Sequence, residues 1–103
     1  MTIDDDFIKL AKEIATGWEI MYNICYSEVE RIINNKITDI SVIEHTLDQV
    51  MDIYTEKGFY LFLKLLLYYR TINEENAKDY LEILKQYRAE EYVDFVKKYQ
   101  KVR

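Results

Sequence analysis

The sequence predicts an all-α protein, a compact bundle of four to five helices, and three observations lead to that prediction. The chain of 103 residues contains no proline and only two glycines, Gly17 and Gly58. Proline and glycine are the usual residues of turns and strand ends, so their scarcity favours helices with short connections. Apolar residues recur every three or four positions, which is the period of an amphipathic helix. At this length we expect one domain over residues 1–103.

The first predicted helix is long. It begins at the acidic cluster Asp4-Asp5-Asp6, whose carboxylates suit the positive end of a helix dipole. Its apolar stripe advances in alternating steps of four and three residues through Phe7, Ala11, Ile14, Trp18, Met21, Cys25, Val29 and Ile32. Because the phase continues through Gly17, we expect one helix to about Asn34, roughly 45 Å long, that overhangs a small bundle and buries Trp18 and Cys25. A break at Thr16-Gly17 is the alternative.

Two further helices are predicted in the middle of the chain. Ser41 followed by Glu44 is the pattern of a capping box, so the second helix is expected to begin there. Its core stripe is Ile43, Leu47, Val50, Met51 and Tyr54. Lys57-Gly58 is expected to end it. Residues 59–70 are apolar on nearly all sides, which predicts a buried central helix with Leu65 and Leu66 in the core.

The last third of the chain predicts one bent helix or two short ones. Asn73 is placed as an N-cap, with Ile72 before it and Ala77 after it forming a weak hydrophobic staple. The inner face that follows is Ala77, Tyr80, Leu81, Leu84 and Tyr87. The apolar phase then slips around Arg88-Ala89 and resumes at Tyr92, Phe95 or Val96, and Tyr99. A slip of this kind indicates a bend or a break in the helix.

Composition and charge limit the classes of function. The net charge is −5, and residues 1–58 carry twelve acidic against five basic side chains. An acidic total disfavours direct binding to nucleic acid or to an anionic membrane. The longest apolar stretch is about half the length that spans a bilayer, so no membrane span is expected. The single cysteine and the acidic first residues favour a cytoplasmic protein.

No catalytic or cofactor motif is found in the sequence. It holds one His, one Cys, no glycine-rich loop and no metal-ligand spacing. Cys25 has no His, Asp or Lys at helical spacing that would activate it as a nucleophile. His45 lies beside Asp48 but lacks the further nitrogen or sulfur ligands that a metal site needs. We therefore expect a non-enzymatic protein with no cofactor and no metal.

Four acidic residues are predicted to form one row on the second helix: Glu44, Asp48, Asp52 and Glu56. Like charges four residues apart oppose a helix by about 0.2–0.5 kcal/mol per pair. One interpretation is a docking strip for a basic partner, or a mimic of a nucleic-acid backbone. The alternatives are a solvated face, or neutralisation by the basic residues near the C-terminus. Those residues are Lys97, Lys98, Lys101 and Arg103.

The ten tyrosines are the second unusual feature of the surface. A tyrosine combines a large apolar ring with a polar tip, which suits the border of a core and also the centre of an interface. Tyr60, Tyr68 and Tyr69 are too close in sequence to share one core, so at least one of them is expected to point outward. These three tyrosines and the acidic row are the candidate partner-binding residues.

These observations predict a small protein-interaction module that acts through tyrosine-containing and acidic helical surfaces. The expected partner is another protein, and the overhanging first helix and the surplus of tyrosines favour a homodimer. The alternative is an acidic inhibitor, encoded by a phage or another mobile element, that mimics nucleic acid and occupies the groove of a nucleic-acid-binding protein. Strong dependence of binding on salt would favour the inhibitor.

Overall fold

The computed structural model describes the backbone of residues 5–102 and the side chains as far as Lys98, and in this part five α-helices follow one another. They are α1 (Asp5–Asn34), α2 (Ile40–Met51), α3 (Glu56–Ile72), α4 (Glu74–Tyr87) and α5 (Ala89–Val102). The predicted all-α bundle is confirmed, and α1 is continuous through Gly17. Asp4, Arg103 and the side chains of Tyr99 and Lys101 lie outside the described residues.

The core is built around α3, which α1, α2 and α4 all contact. Leu65 is fully buried and Leu66 nearly so, which confirms α3 as the central helix. Tyr92 and Phe95 of α5 pack against this core from the side of α4. The remaining buried apolar side chains are Cys25, Val29, Ile32, Ile43, Leu47, Val50, Ile53, Phe59, Leu61, Phe62, Tyr69, Ala77 and Leu84.

The C-terminal end of α1 is closed by a left-handed residue. Lys36 has a φ of 53°, and its amide donates to the carbonyl of Ile33 at 3.2 Å. The next amide, that of Ile37, donates to the carbonyl of Ile32 at 3.0 Å. This pair of bonds is a Schellman cap, which satisfies the last carbonyls of the helix and turns the chain back toward α2.

The capping box predicted at the start of α2 is not formed. Asp39 is the N-cap instead, and its carboxylate accepts from the amide of Ser41 at 2.9 Å. The helix therefore begins at Ile40, and the carboxylate of Glu44 is left to accept from another donor. An aspartate caps the exposed amides as well as a serine does, so Asp39, two residues before Ser41, can take this position.

The prediction that α2 runs to Gly58 is wrong. The helix ends at Met51, and residues 52–55 form a turn before α3. Thr55 caps α3, its hydroxyl accepting from the amide of Gly58 at 3.0 Å. Tyr54, which was predicted on the core stripe, lies in the turn and is exposed. Thr55 starts a new helix within the stretch that was predicted to belong to α2, so α2 is shorter than predicted.

Gly58 is required by packing and not as the end of a helix. A Cβ atom at this position would lie 2.4 Å from the carbonyl oxygen of Ile53. Real Cβ atoms do not approach backbone oxygen so closely, so any side chain here would push α3 away from the turn. The glycine lets the first turn of α3 lie directly against the chain that leaves α2.

A buried arginine between α4 and α5 bonds to that turn. Arg88 donates to the carbonyl of Ile53 at 2.8 Å and to the carbonyl of Thr55 at 3.0 Å. Its Nε donates to the carboxylate of Glu91 at 3.2 Å, and its guanidinium lies over the ring of Tyr54. Arg88 is only 3% exposed. Because two of its hydrogen bonds go to carbonyls of the turn, this side chain holds the turn against the junction of α4 and α5.

The helix boundaries in the last third agree with the prediction. Asn73 caps α4, accepting from the amide of Asn76 at 2.9 Å. The helix is interrupted at Arg88, between α4 and α5, where the apolar phase slips. Tyr87 is the exception, because it was predicted on the inner face and is exposed. It is the last residue of α4, where the chain already turns away from the core.

Candidate functional site: the exposed face of the first helix

A continuous apolar surface lies on the N-terminal half of α1. Every residue from 5 to 21 is exposed, and we call this segment the arm. Its apolar stripe consists of Phe7, Leu10, Ala11, Ile14, Trp18 and Met21, and we call these six side chains the arm face. The large side chains among them are 40% to 60% exposed. The prediction that Trp18 lies in the core is therefore wrong.

The arm face is the outward continuation of a buried stripe. Cys25, Val29 and Ile32 lie on the same side of α1 and are 0% to 3% exposed, which confirms the prediction for Cys25. The cover ends near Tyr22, where the ammonium of Lys57 lies 5.8 Å from the centroid of the ring. α1 has 30 residues and α2 only 12. At about 1.5 Å per residue, α2 spans less than half of α1, so the arm projects beyond the bundle.

The spacing of the arm face is that of a helix–helix seam. Steps of four and three residues give a mean period of about 3.5, the repeat of a coiled coil. The positions beside the seam are also uncharged, with Ile8 and Ala15 on one side and Gly17 on the other. The charged side chains of the arm lie away from the seam, at Asp5, Asp6, Lys9, Lys12, Glu13 and Glu19. This repeat was visible in the sequence, but it was interpreted there as a core stripe.

A second exposed apolar surface lies between α3, α4 and α5. It is a groove of about 510 Å³ lined by Tyr60, Leu63, Leu67 and Leu81 among others. Leu67, which lines this groove, is 61% exposed. Tyr60 is exposed, so it is the tyrosine of its group that points outward, as expected. Three basic side chains also line the groove: Lys64, Arg70 and Lys78.

The acidic residues predicted as one row do not share one helix. Because α2 ends at Met51, Asp52 is its C-cap and Glu56 lies in the first turn of α3. Asp52 and Glu56 are both exposed. The ammonium of Lys98 lies 3.6 Å from the carboxylate of Glu56. One pairing with a basic residue near the C-terminus is thus present, between side chains that are both largely exposed.

The other two acidic residues are bonded inside the chain. The hydroxyl of Tyr69 donates to Glu44 at 2.5 Å, and that of Tyr80 donates to Asp48 at 3.0 Å. Burial, and then the bond to Glu44, raises the pKa of Tyr69, while the amide of Asn76 donating to the same hydroxyl acts in the opposite direction. Burial, and then the bond to Asp48, raises the pKa of Tyr80. Both hydroxyls therefore stay protonated and tie α2 to α3 and α4.

The predicted tyrosines differ in how much surface they offer. Tyr69 is completely buried, which leaves none of its ring for a partner. Tyr68 is half-buried, and its hydroxyl donates to the carbonyl of Ile37 at 2.7 Å. Tyr60 alone of the three keeps an exposed ring. Of the predicted partner-binding residues, Asp48, Asp52, Glu56 and Tyr60 are exposed, and the carboxylate of Asp48 already accepts from Tyr80.

Two titratable groups of α1 have shifted pKa values with clear structural causes. The guanidinium of Arg31 donates to Glu28 and holds the pKa of that carboxyl below its usual value. Burial raises the pKa of the Cys25 thiol, and the nearby Glu28 carboxylate acts in the same direction. Among residues 5–98, no three His, Cys, Asp or Glu side chains are grouped where they could hold a metal ion.

None of the helices, over the length that the structure describes, is long and apolar enough to cross a membrane.

Comparisons of this chain with protein-family models, with curated proteins and with solved structures found no match. The function of this chain must therefore be argued from its surfaces.

Proposed function

We propose that this chain is a non-enzymatic protein-interaction module whose main binding surface is the arm face of α1. The observation that supports the proposal is the change in burial along one stripe. Cys25 is covered by the bundle, whereas Ile14, Trp18 and Met21 on the same side of the helix are exposed. An apolar stripe that continues for several turns beyond its own core is typical of a surface that another protein covers.

The physical cost of the bare arm supports the same proposal. A helix of about 17 residues without tertiary packing is marginal in water, because its stability normally comes from covering its apolar side. A partner that covers the arm face would supply that packing. Trp18 lies near the middle of α1, and a tryptophan flanked by aliphatic side chains is typical of the residues that dominate binding energy at interfaces.

The groove between α3 and α5 gives the module a second contact surface. Tyr60 and Leu67 are exposed there, and such a mixture of aromatic and aliphatic side chains suits a protein partner. Asp52 and Glu56 are exposed and would supply polar contacts to the partner. A cytoplasmic location stays a prediction from the single cysteine.

The acidic inhibitor that mimics nucleic acid has less support. Such a mimic needs a row of carboxylates that are free to meet cations. Glu44 and Asp48 accept hydrogen bonds from tyrosine hydroxyls, and the turn at residues 52–55 divides the row. A binding partner that competes with DNA or RNA would restore this alternative.

Site-specific crosslinking tests the proposed surface. A photoreactive phenylalanine would replace Ile14 on the arm face or, as the matched control, Ile20. Ile20 is on the same helix and 56% exposed, but it points away from the stripe. In a lysate of the native host, we expect covalent adducts with protein from position 14 and few from position 20. Equal yields at the two positions, or no adduct at position 14, would reject the arm face as the binding surface.

A further inference from the structure

We infer that the occupant of the arm face is the arm of a second copy of this chain, lying antiparallel to the first. The inference rests on the proposed function and identifies its partner. Four observations support it: the period of the stripe, the place where the bundle ends, the register that this place allows, and the area of the exposed surface.

The period of the stripe fits another helix of the same kind. Side chains that repeat every 3.5 residues pack best against a second helix with the same repeat, since each side chain then enters a gap on the facing helix. A second copy supplies such a helix. A dimer with twofold symmetry also uses one and the same surface on both chains, which requires only the arm face. The neighbouring positions, Ile8, Ala15 and Gly17, bring no charge into the contact.

The position of the bundle fixes the direction of the pair. α2 and α3 cover α1 on the side of the stripe from Cys25 onward. A second helix lying parallel on the arm face would continue along that stripe into the space that α2 and α3 occupy. In an antiparallel pair the second α1 runs in the opposite direction. The part of the second α1 that its own bundle covers, from Cys25 onward, then lies beyond residue 5 of the first copy. Only the antiparallel pair avoids a collision between the arm of one copy and the bundle of the other.

The same boundary selects the register. In an antiparallel seam centred between residues 12 and 13, Phe7 faces Trp18 of the second copy and Ala11 faces its Ile14. Moving the pair by one heptad toward the bundles would set Phe7 opposite Cys25, which α2 and α3 already cover. The register centred between residues 12 and 13 therefore uses only the exposed part of the stripe. In this register Phe7 faces the large side chain of Trp18, and the small Ala11 leaves room for Ile14.

The exposed area is sufficient for a stable pair. Five large apolar side chains in the paired part of this register are 40% to 60% exposed: Phe7, Ile8, Leu10, Ile14 and Trp18. They present on the order of 500 Å² per chain, so two copies would bury about 1,000 Å², the size that a specific interface needs. A symmetric pair of arms reaches that size without the groove between α3 and α5.

Sedimentation equilibrium with a matched pair of variants tests the dimer. At tens of micromolar we expect the chain to sediment at twice its mass of 12.5 kDa. Ile14→Glu should sediment as a monomer with an unchanged bundle, because Ile14 is exposed in the single chain. Ile20→Glu should remain a dimer. A monomer mass for the unmodified chain, or the same mass for both variants, would overturn the inference.

Disulfide formation between mixed chains tests the direction. In a Cys25→Ala background, one chain would carry Ala11→Cys and the other Ile14→Cys, and the two would be mixed and oxidised. The antiparallel register predicts a disulfide between the two different chains and little between identical ones. A parallel pair would give the opposite pattern, which would overturn the inferred direction.

The two proposals fail in different ways. If the chain is a monomer but position 14 still crosslinks to another protein, the second copy is wrong as the partner and the arm face stands as a binding surface. If position 14 gives no adduct with any protein, both are wrong. The fluorescence of Trp18, the single tryptophan, adds a direct measure. Its emission should shift to longer wavelength as the dimer is diluted, and an emission independent of concentration would contradict the dimer.

Discussion

The two halves of α1 carry one apolar stripe in two different environments. From Cys25 onward the stripe is buried under α2 and α3, and from Met21 back to Phe7 it is exposed. The side chains differ little in character between the halves, so periodicity does not distinguish them. What differs is the length of the helices alongside. Periodicity therefore tells which side of a helix is apolar, and the neighbouring helices decide how much of that side becomes core.

The largest expected difference between the halves is in stability. Ile32→Ala in the covered half should lower the free energy of unfolding by about 2–5 kcal/mol, since it removes fully buried methyl groups and leaves a cavity. Ile14→Ala in the arm should change it by less than about 0.5 kcal/mol when the chain is dilute enough to be monomeric. Chemical denaturation measures both. Similar losses for the two variants would mean that the arm is packed in the monomer.

The second largest loss of stability is expected for Arg88, the buried arginine that bonds the turn between α2 and α3. Arg88→Ala should cost about 3 kcal/mol, because it removes a buried side chain and its hydrogen bonds to the carbonyls of Ile53 and Thr55. Those carbonyls would then keep only their backbone donors, the amides of Thr55 and Phe59. Glu91→Gln is the control, since Glu91 is partly exposed and its ion pair is expected to contribute less than about 1 kcal/mol. Denaturation midpoints of the two variants are the measurement. An equal and small change in both would show that Arg88 does not hold the turn.

Replacing each of the two glycines by alanine compares the packed bundle with the exposed arm. Gly58→Ala should destabilise the bundle by about 1–3 kcal/mol, because its new methyl group has no space beside Ile53. Gly17→Ala meets nothing within 4 Å, so it should raise the helical circular-dichroism signal of the arm. The melting temperature of the bundle should not fall. A fall as large as that of Gly58→Ala would place Gly17 inside a packed core.

The smallest expected effect is a dependence on alkaline pH in the covered part. The pKa values of Tyr69 and Tyr80 are raised from the ordinary value of 10.0, so the unfolded chain releases these protons at a lower pH than the folded chain. The contribution of these two hydroxyls to the free energy of unfolding should therefore be constant below about pH 9 and fall as pH rises above 10. Tyr80→Phe should make this fall shallower, and Tyr87→Phe, on an exposed side chain, is the control. Equal slopes in all three proteins would contradict the role of Tyr80.

The sequence predicted the architecture well because local signals agreed with the final packing. The unbroken stripe through Gly17, the cap at Asn73 and the phase slip at Arg88 each depend on residues within one or two turns of each other. They were therefore visible without knowledge of the fold. The central helix was also predicted correctly, because a segment that is apolar on most sides has no other stable place than the core.

The features that the sequence did not predict depend on distant residues. Trp18 was placed in the core because nothing near it reveals that α2 ends at Met51. Glu44 and Asp48 were interpreted as free charges because their donors, Tyr69 and Tyr80, lie 25 and 32 residues away. Arg88 was not recognised as a buried residue, since arginines are mostly exposed unless a matching set of acceptors surrounds them. In each case the deciding partner comes from another helix.

The position of Cys25 gives this chain a built-in chemical probe. It is the single thiol of the protein, and it lies at the first covered turn of α1, immediately after the exposed arm. A thiol reagent can reach it only when α1 separates locally from α2 and α3, and burial keeps the thiolate scarce until then. The rate of labelling therefore reports how often the edge of the core opens, independently of global unfolding. The opening of this edge can thus be timed in the unmodified sequence, without an engineered cysteine.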